Sequence, residues 1–242
     1  MRPLANPSAY AATLWLLLLA LLPLLACCTT DAYEKGTGKY SLMQADLAEI
    51  SVDESKRAVS FTTDDGDSYA FAQPVASKWI EQTDTIYRAI VYYNKQDDQT
   101  AEAMGISSVP TLLPREHWRF KRQPHDPVGM ESAWMARSGK YLNMALLVKS
   151  GQTDDSTAVH TIALAQDTIL AHSDGRRTAV YTFLHDQGEV PQYYTDRRYI
   201  SVRLPQSLPD TIVLRIHTYE GLVTRRFPAE PTDIGRPSEK SH

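Results

Sequence analysis

Every second residue of the run Leu142, Met144, Leu146, Val148 is a large apolar side chain, and Ile212, Leu214 and Ile216 repeat the pattern. A period of two turns alternate side chains to one face, which is the mark of a strand lying on a core and is incompatible with a helix of period 3.6. Short β-prone runs of this kind recur along the chain at 39–52, 58–63, 68–72, 85–94 and 106–113, and again at 140–149, 158–170, 178–186, 199–204 and 211–219. Thirteen tyrosines against five phenylalanines favour half-exposed rings on strands, which points the same way. The expected class is all-β.

Two domains are expected. The first five runs, with Asp65-Gly66 between the second and third as a two-residue hairpin turn of type I′, suit a small barrel of the OB kind over residues 40–114. The proline- and charge-rich segment 114–127 reads as a connection. The later runs suit an antiparallel β-sandwich over 115–228, and residues 229–242, proline-containing and without apolar pattern, read as a disordered tail.

Ahead of the first run lies a leader. Arg2 precedes an apolar stretch, Leu14 to Leu25 broken at Pro23, that ends in Leu24-Leu25-Ala26-Cys27. A charged start and a short apolar segment describe an export signal. The last four residues resemble the bacterial lipobox, in which the thiol receives a diacylglyceryl group and cleavage makes the cysteine the first residue. A membrane-spanning helix is the competing reading, since counted generously from Ala9 to Cys28 the stretch reaches the ~20 residues a bilayer needs. It is disfavoured by Pro23 and by the Thr29-Thr30-Asp31 that follows where a basic stop would stand. Residues 1–26 are therefore read as a lipoprotein signal peptide, Cys27 as the lipidation site and 27–39 as a polar tether. Lipid on both sulfur and nitrogen would hold the chain firmly at the membrane. Cys28 occupies the position after the lipidated residue where an aspartate would favour inner-membrane retention, so the expected location is the outer membrane.

Charge narrows the partners. The chain has 25 basic against 29 acidic residues. Arg2 is the only charged side chain before Cys27, so the processed form is one unit more acidic. A nucleic-acid partner, which calls for a basic face, is not expected. Cys27 and Cys28 are the only cysteines and are adjacent, so no disulfide staples distant segments and no cysteine zinc site is available.

Several segments together resemble the NigD-like proteins of Bacteroidetes. They are Gly139-Lys140-Tyr141-Leu142-Asn143, His160-Thr161-Ile162-Ala163-Leu164, Phe183-Leu184-His185-Asp186, Tyr199-Ile200-Ser201-Val202 and Arg88-Ala89-Ile90-Val91-Tyr92-Tyr93. The resemblance spans essentially the whole chain after Cys27. It implies an OB-like first domain and an immunoglobulin-like sandwich. It also implies a role near bacteriocin self-protection, inferred for that family from gene neighbourhood and not from an activity.

The chemistry-bearing candidates are few. A hairpin turned at His172-Ser173-Asp174-Gly175 and centred between Ser173 and Asp174 puts His185 opposite Ile162 and diagonal to His160, with Asp186 adjacent. Zinc requires a third protein ligand that the spacing does not supply. His160 shares a face with Ile162 and Leu164, and His185 with Tyr181 and Phe183, so packed, hydrogen-bonded imidazoles are the expected reading, without metal or cofactor. His217 reads as surface. His117 and His125 fall in a basic connection with Arg115, Arg119, Lys121 and Arg122, read as a solvated linker. Trp79, Trp118 and Trp134 suit either a sugar platform or anchors at the domain junction. Asp64-Asp65, Asp97-Asp98 and Asp154-Asp155 read as turn residues. No Gly-x-Ser-x-Gly, His-Glu-x-x-His or Gly-x-x-x-x-Gly-Lys-Ser/Thr pattern occurs.

The sequence thus points to a non-catalytic envelope lipoprotein acting as a binding or accessory module toward a protein or glycan, with the domain junction or the loops of the sandwich as the contact surface. An envelope hydrolase acting on glycan or peptide, and a structural component of the surface, are the alternatives.

Overall fold

A computed structural model describes Gly38 and residues 40–228. The expected signal peptide, Cys27, the tether apart from Gly38, and the tail 229–242 lie outside the described residues. The chain divides into units 1–42 and 43–242. Of the first, the described part is a turn in which the Ser41 N–H donates to the Gly38 carbonyl at 2.9 Å.

The second unit opens with five strands, β1 (Gln44–Val52), β2 (Arg57–Thr63), β3 (Ser68–Ala76), β4 (Ile86–Lys95) and β5 (Thr100–Ser108). They close in the order β1-β2-β3-β5-β4, with β4 returning to β1. This is the expected OB-like barrel, and closure removes the free edges that a small open sheet would expose. The inward row of each strand fills it. Ile50, Phe61, Tyr69, Phe71, Val91 and Tyr93 are buried together, and Phe61 packs against Phe71 and Tyr93 at ring separations of 4.9 and 4.8 Å. The fifth strand starts earlier than expected because the Asp97 carboxylate accepts the backbone N–H groups of Gln99 and Thr100, tightening the preceding turn.

The β2–β3 turn also differs from expectation. Thr63 pairs with Asp67 across a three-residue loop, with the Gly66 N–H donating to the Thr63 carbonyl at 3.0 Å. Type I′ would close a two-residue loop with positive φ at both Asp65 and Gly66. Here only Gly66, at φ +95°, takes that conformation.

The remaining strands form two facing sheets. They are β6 (Thr111–Leu112), β7 (Arg115–Glu116), β8 (Gly129–Met135), β9 (Tyr141–Ser150), β10 (Thr161–Ala171), β11 (Arg177–Asp186), β12 (Tyr194–Arg203), β13 (Thr211–Thr218) and β14 (Gly221–Pro228). One sheet runs β14-β13-β11-β10-β7 and the other β6-β12-β9-β8. Leu142, Met144 and Leu146 of β9 meet Leu164 of β10, Tyr181 and Phe183 of β11 and Leu214 of β13 in the core between them. The alternating rows read from the sequence are thus core rows.

The sandwich is mixed and not wholly antiparallel. β13 lies parallel to β11 because the intervening β12 crosses to the other sheet before the chain returns. β8 and β14 were not expected as strands: each is an edge strand, and the run Thr224-Arg225-Arg226 breaks the apolar pattern of β14. The expected linker 114–127 is partly structured. β7 pairs with β10, a 3-10 turn follows at His117–Arg119, and His185 is bracketed by the segment's backbone, its N–H donating to Pro124 and its carbonyl accepting from Asp126. Proline lacks a donor but keeps its acceptor, so Pro124 can still dock on a strand.

Candidate functional site

The histidine pair meets as the strand pairing demands. Ile162 faces His185 in the β10–β11 register, and His160, one residue before β10, lies diagonal to it. The expected centre of the turn is shifted: the hairpin closes between His172 and Arg176 across three residues, and a bulge at Asp167 restores the register beyond it. His160 Nδ1 lies 3.0 Å from His185 Nε2, and His185 Nδ1 lies 3.1 Å from the Asp126 carbonyl.

These contacts fix the protons. A carbonyl only accepts, so His185 Nδ1 carries hydrogen, His185 Nε2 is the acceptor, and His160 Nδ1 donates to it. Neutral His160 is then left with a bare Nε2, which is buried and has no partner. Burial first, and then the charges of His185 and Arg198, push the His160 pKa below its ordinary value, outweighing the opposing pull of Asp196 and the Lys149 backbone.

Asp186 does not join the pair. It alternates to the opposite face of β11, where its carboxylate accepts from the Gly188 N–H at 3.0 Å and lies 3.6 Å from Arg122. Among the described residues no group of three or more His, Cys, Asp or Glu is arranged to hold a metal ion. Two histidines that sequence reasoning placed in the linker and at the surface belong to this end of the sandwich. His125 bridges to His185 through the backbone and stacks on His217 at 4.3 Å. No linear spacing signals that arrangement, since it depends on how the segment before β8 docks.

A second constellation joins barrel to sandwich. On β4 the side chains of Arg88, Ile90 and Tyr92 point outward from the barrel, opposite to Ala89, Val91 and Tyr93. Arg88 is nevertheless buried. Its guanidinium donates to Asp64 Oδ2 at 2.6 Å, to Asn143 Oδ1 at 3.1 Å and to Ser201 Oγ at 3.0 Å, and it lies over the Tyr141 ring at 4.1 Å. Asn143 Nδ2 donates to Asp64 Oδ2 at 2.8 Å, and Ser201 Oγ donates to Asn143 Oδ1 at 2.8 Å. Beside Arg88 in the β1–β4 register, Glu49 accepts from Tyr141 Oη and Lys140 Nζ, both at 2.8 Å.

Electrostatics follow from this packing. Burial raises the cost of ionising Glu49, but hydrogen bonds from Lys140 and Tyr141 outweigh it and hold the carboxyl below its ordinary value. Burial and the bond to Glu49 push the Tyr141 hydroxyl up to about 12. Barrel residues Glu49, Asp64 and Arg88 are thereby clamped to Lys140, Tyr141, Asn143 and Ser201 of the sandwich. Ser201 Oγ accepts from Arg88 and donates to Asn143, and no imidazole is among these partners. Sequence reasoning placed Asp64 in a turn, where it is, but gave no hint that its side chain crosses to the other domain.

The clamp opens into a cleft of about 880 Å³ lined from both domains. From the barrel come Leu47, Thr63, Asp65 and Tyr92, and from the sandwich Trp134, Arg137, Tyr199 and Phe227. Trp134 reaches it because it sits opposite Asn143 in the β8–β9 register, one strand further from Ser201. Of the two readings left open for the tryptophans, sugar platform or junction anchors, neither gathers all three, since only Trp134 lines the junction cleft. Trp79 packs edge-on against Tyr87 in the barrel, and Trp118 is exposed beside His117. The basic cluster of the connection is partly neutralised, Arg119 pairing with Glu116 and Arg122 with Asp186.

No family model matches the chain, and no curated protein matches it. Solved structures do. A NigD-like immunity protein from Bacteroides caccae superposes with a TM-score of 0.58 at 19% identity, over 77% of this chain and 97% of that one. A protein described as toxin-related from Parabacteroides distasonis gives 0.57 at 22% identity, over 76% and 92%. A protein described as a lipoprotein from Bacteroides fragilis gives 0.56 at 10% identity, over 78% and 99%. At such identities the likeness is one of fold, and the chain has the barrel-and-sandwich fold of these Bacteroidetes proteins.

Proposed function

We propose that the protein is a non-catalytic lipoprotein of the bacterial envelope, held at the outer membrane through Cys27, that works by binding in the cleft between its two domains. The observation that carries this reading is the clamp around Arg88, which keeps a two-domain cleft preformed while leaving no activated nucleophile or metal set among the described residues. The lipobox-like Leu24-Leu25-Ala26-Cys27 supports the anchor. Self-protection against a toxin is the role we favour, supported by the immunity and toxin-related descriptions of two proteins with this fold.

A hydrolase is the second reading, because Asp46, Asp64 and Asp65 all line the cleft. A glycosidase needs one carboxyl free to act as acid and another free to face the substrate. Asp64 is engaged by Arg88 and Asn143, and Asp46 by the Tyr93 hydroxyl at 2.8 Å, which favours binding without turnover.

The decisive experiment compares the membrane-bound protein with a Cys27→Ser variant by intact mass. We expect lipid on an N-terminal Cys27 in the first and an unlipidated protein released from the membrane fraction in the second. A native protein that retains residues 1–26 without lipid overturns the anchor.

A further inference from the structure

We propose that the cleft between barrel and sandwich is a binding site for a neutral oligosaccharide, an inference that rests on the binding reading above and names its ligand class. The argument begins with charge. Of the charged side chains lining the cleft, Asp46 and Asp64 are engaged with the protein itself. Asp65 and Arg137 remain, both exposed, opposite in sign and forming no ion pair with a described residue. With Asp64 compensated by Arg88 and Asp65 offset by Arg137, the one charge left over is Asp46, whose Tyr93 partner is neutral, so the lining offers an anionic ligand no attraction and a strongly cationic one only a single carboxylate.

The aromatic lining supplies the second step. Trp134, Tyr92 and Tyr199 are each half-buried at the cleft wall, and none is packed ring against ring with another described aromatic side chain. Barrel and sandwich thus each contribute an aromatic ring to the wall of the cleft. A pyranose ring presents a face of C–H bonds that stacks on such a surface and a rim of hydroxyls that need hydrogen-bond partners. The indole N–H of Trp134 and the phenol of Tyr92 offer both functions on one side chain, apolar body and polar tip. A lipid chain would ask for an aliphatic lining, which Leu47 and Ile90 alone do not make.

The third step is an unanswered polar atom. Thr63 lines the cleft, is 6% exposed, and its hydroxyl oxygen has no hydrogen-bond partner. Its backbone is held at the start of the β2–β3 turn, where its N–H donates to the Asp67 carbonyl. A sugar hydroxyl reaching the base of the cleft would answer it, whereas an apolar ligand would not.

The test uses the full chain in a detergent without a sugar headgroup, so that the micelle does not compete. Binding of malto-, manno-, xylo- and N-acetylchito-oligosaccharides is measured by titration calorimetry, with a galacturonate oligomer and a lysine oligomer as charged probes. We expect at least one neutral oligosaccharide to bind, and Trp134→Ala and Tyr92→Ala each to weaken it by about tenfold or more. Trp118→Ala, exposed and outside the cleft, should leave it unchanged. Failure of every neutral probe, preference for either charged oligomer, or binding indifferent to both cleft variants overturns the proposal. If the sugars fail while the lipidated protein still captures an envelope component in a Trp134-dependent way, the binding function stands and only the ligand class falls. If lipidation and capture fail as well, the function itself is wrong.

Discussion

Asn143 on β9 lies directly opposite Ser201 on β12, and that one register step places both side chains against the guanidinium of Arg88 on the barrel. The contact joins three segments widely separated in sequence. A slip of one residue in the β9–β12 ladder would turn the group on the shifted strand into the hydrophobic core and part it from the other.

Removing the cation should therefore be costly. Arg88→Met leaves Asp64, 16% exposed, without its counter-charge and Ser201 without its donor, and losing one partner of a buried pair typically costs about 3–5 kcal/mol. Urea denaturation should show the midpoint falling by that equivalent, and Arg88→Lys should recover only part, since an ammonium cannot form the same planar fork. A loss within experimental error for Arg88→Met would contradict the clamp.

Acidification should weaken the fold through histidine. His160 and His125 both have pKa values below ordinary, His160 through burial and His185, His125 through burial and stacked His217, while Asp167 partly opposes the shift at His125. A group depressed in the folded state takes up its proton more readily when unfolded, so stability is complete above the ordinary histidine value of ~6.5 and declines as pH falls through the folded values. Denaturation midpoints followed from about pH 8 to about pH 5 should fall, and His160→Gln should flatten that slope. An unchanged slope would place the sensitivity elsewhere.

At the alkaline end Tyr141 gives a separate signature. Its hydroxyl, raised to about 12 by burial and the bond to Glu49, stays protonated after an exposed tyrosine has ionised. Stability contributed by this group is present below the ordinary tyrosine value of ~10 and is lost as pH rises through the folded one. Ultraviolet titration of the folded protein should show one late-ionising tyrosine fewer in Tyr141→Phe, with stability reduced by about 1 kcal/mol from the lost hydrogen bond.

The β2–β3 turn makes a conformational prediction. A Cβ at Gly66 would meet nothing within 4 Å, so any loss in Gly66→Ala comes from its φ of +95° alone. Thermal denaturation should show a loss of about 1–2 kcal/mol, smaller for Gly66→Asn, which tolerates positive φ better. A neutral Gly66→Ala would mean that the turn relaxes to another type.

Much of this architecture is legible in the sequence because a period of two reports a buried face directly. Leu142, Met144 and Leu146 announce β9, and His185 falls opposite Ile162 as the hairpin requires. Edge strands escape because they bury no residue fully on either face: β14 carries Arg225 and Arg226, and β8 follows the prolines of the connection. The candidate site was less legible. Arg88, Tyr141, Asn143 and Ser201 all belong to the segments that carried the family resemblance, yet nothing local shows that they touch. Their meeting is set by the packing of one domain on another, which no window of sequence contains.

The clamp also bears on how such a molecule can change over generations. Arg88, Asn143 and Ser201 are polar and buried, and Arg88 on one domain is bonded to the other two across the junction. A barrel exchanged for one lacking that arginine would strand an amide and a hydroxyl on the sandwich, and the reverse exchange would strand a cation. Neither half is a free module. The two are inherited as a matched pair, leaving the walls of the cleft as the place where lineages can diverge without losing the fold.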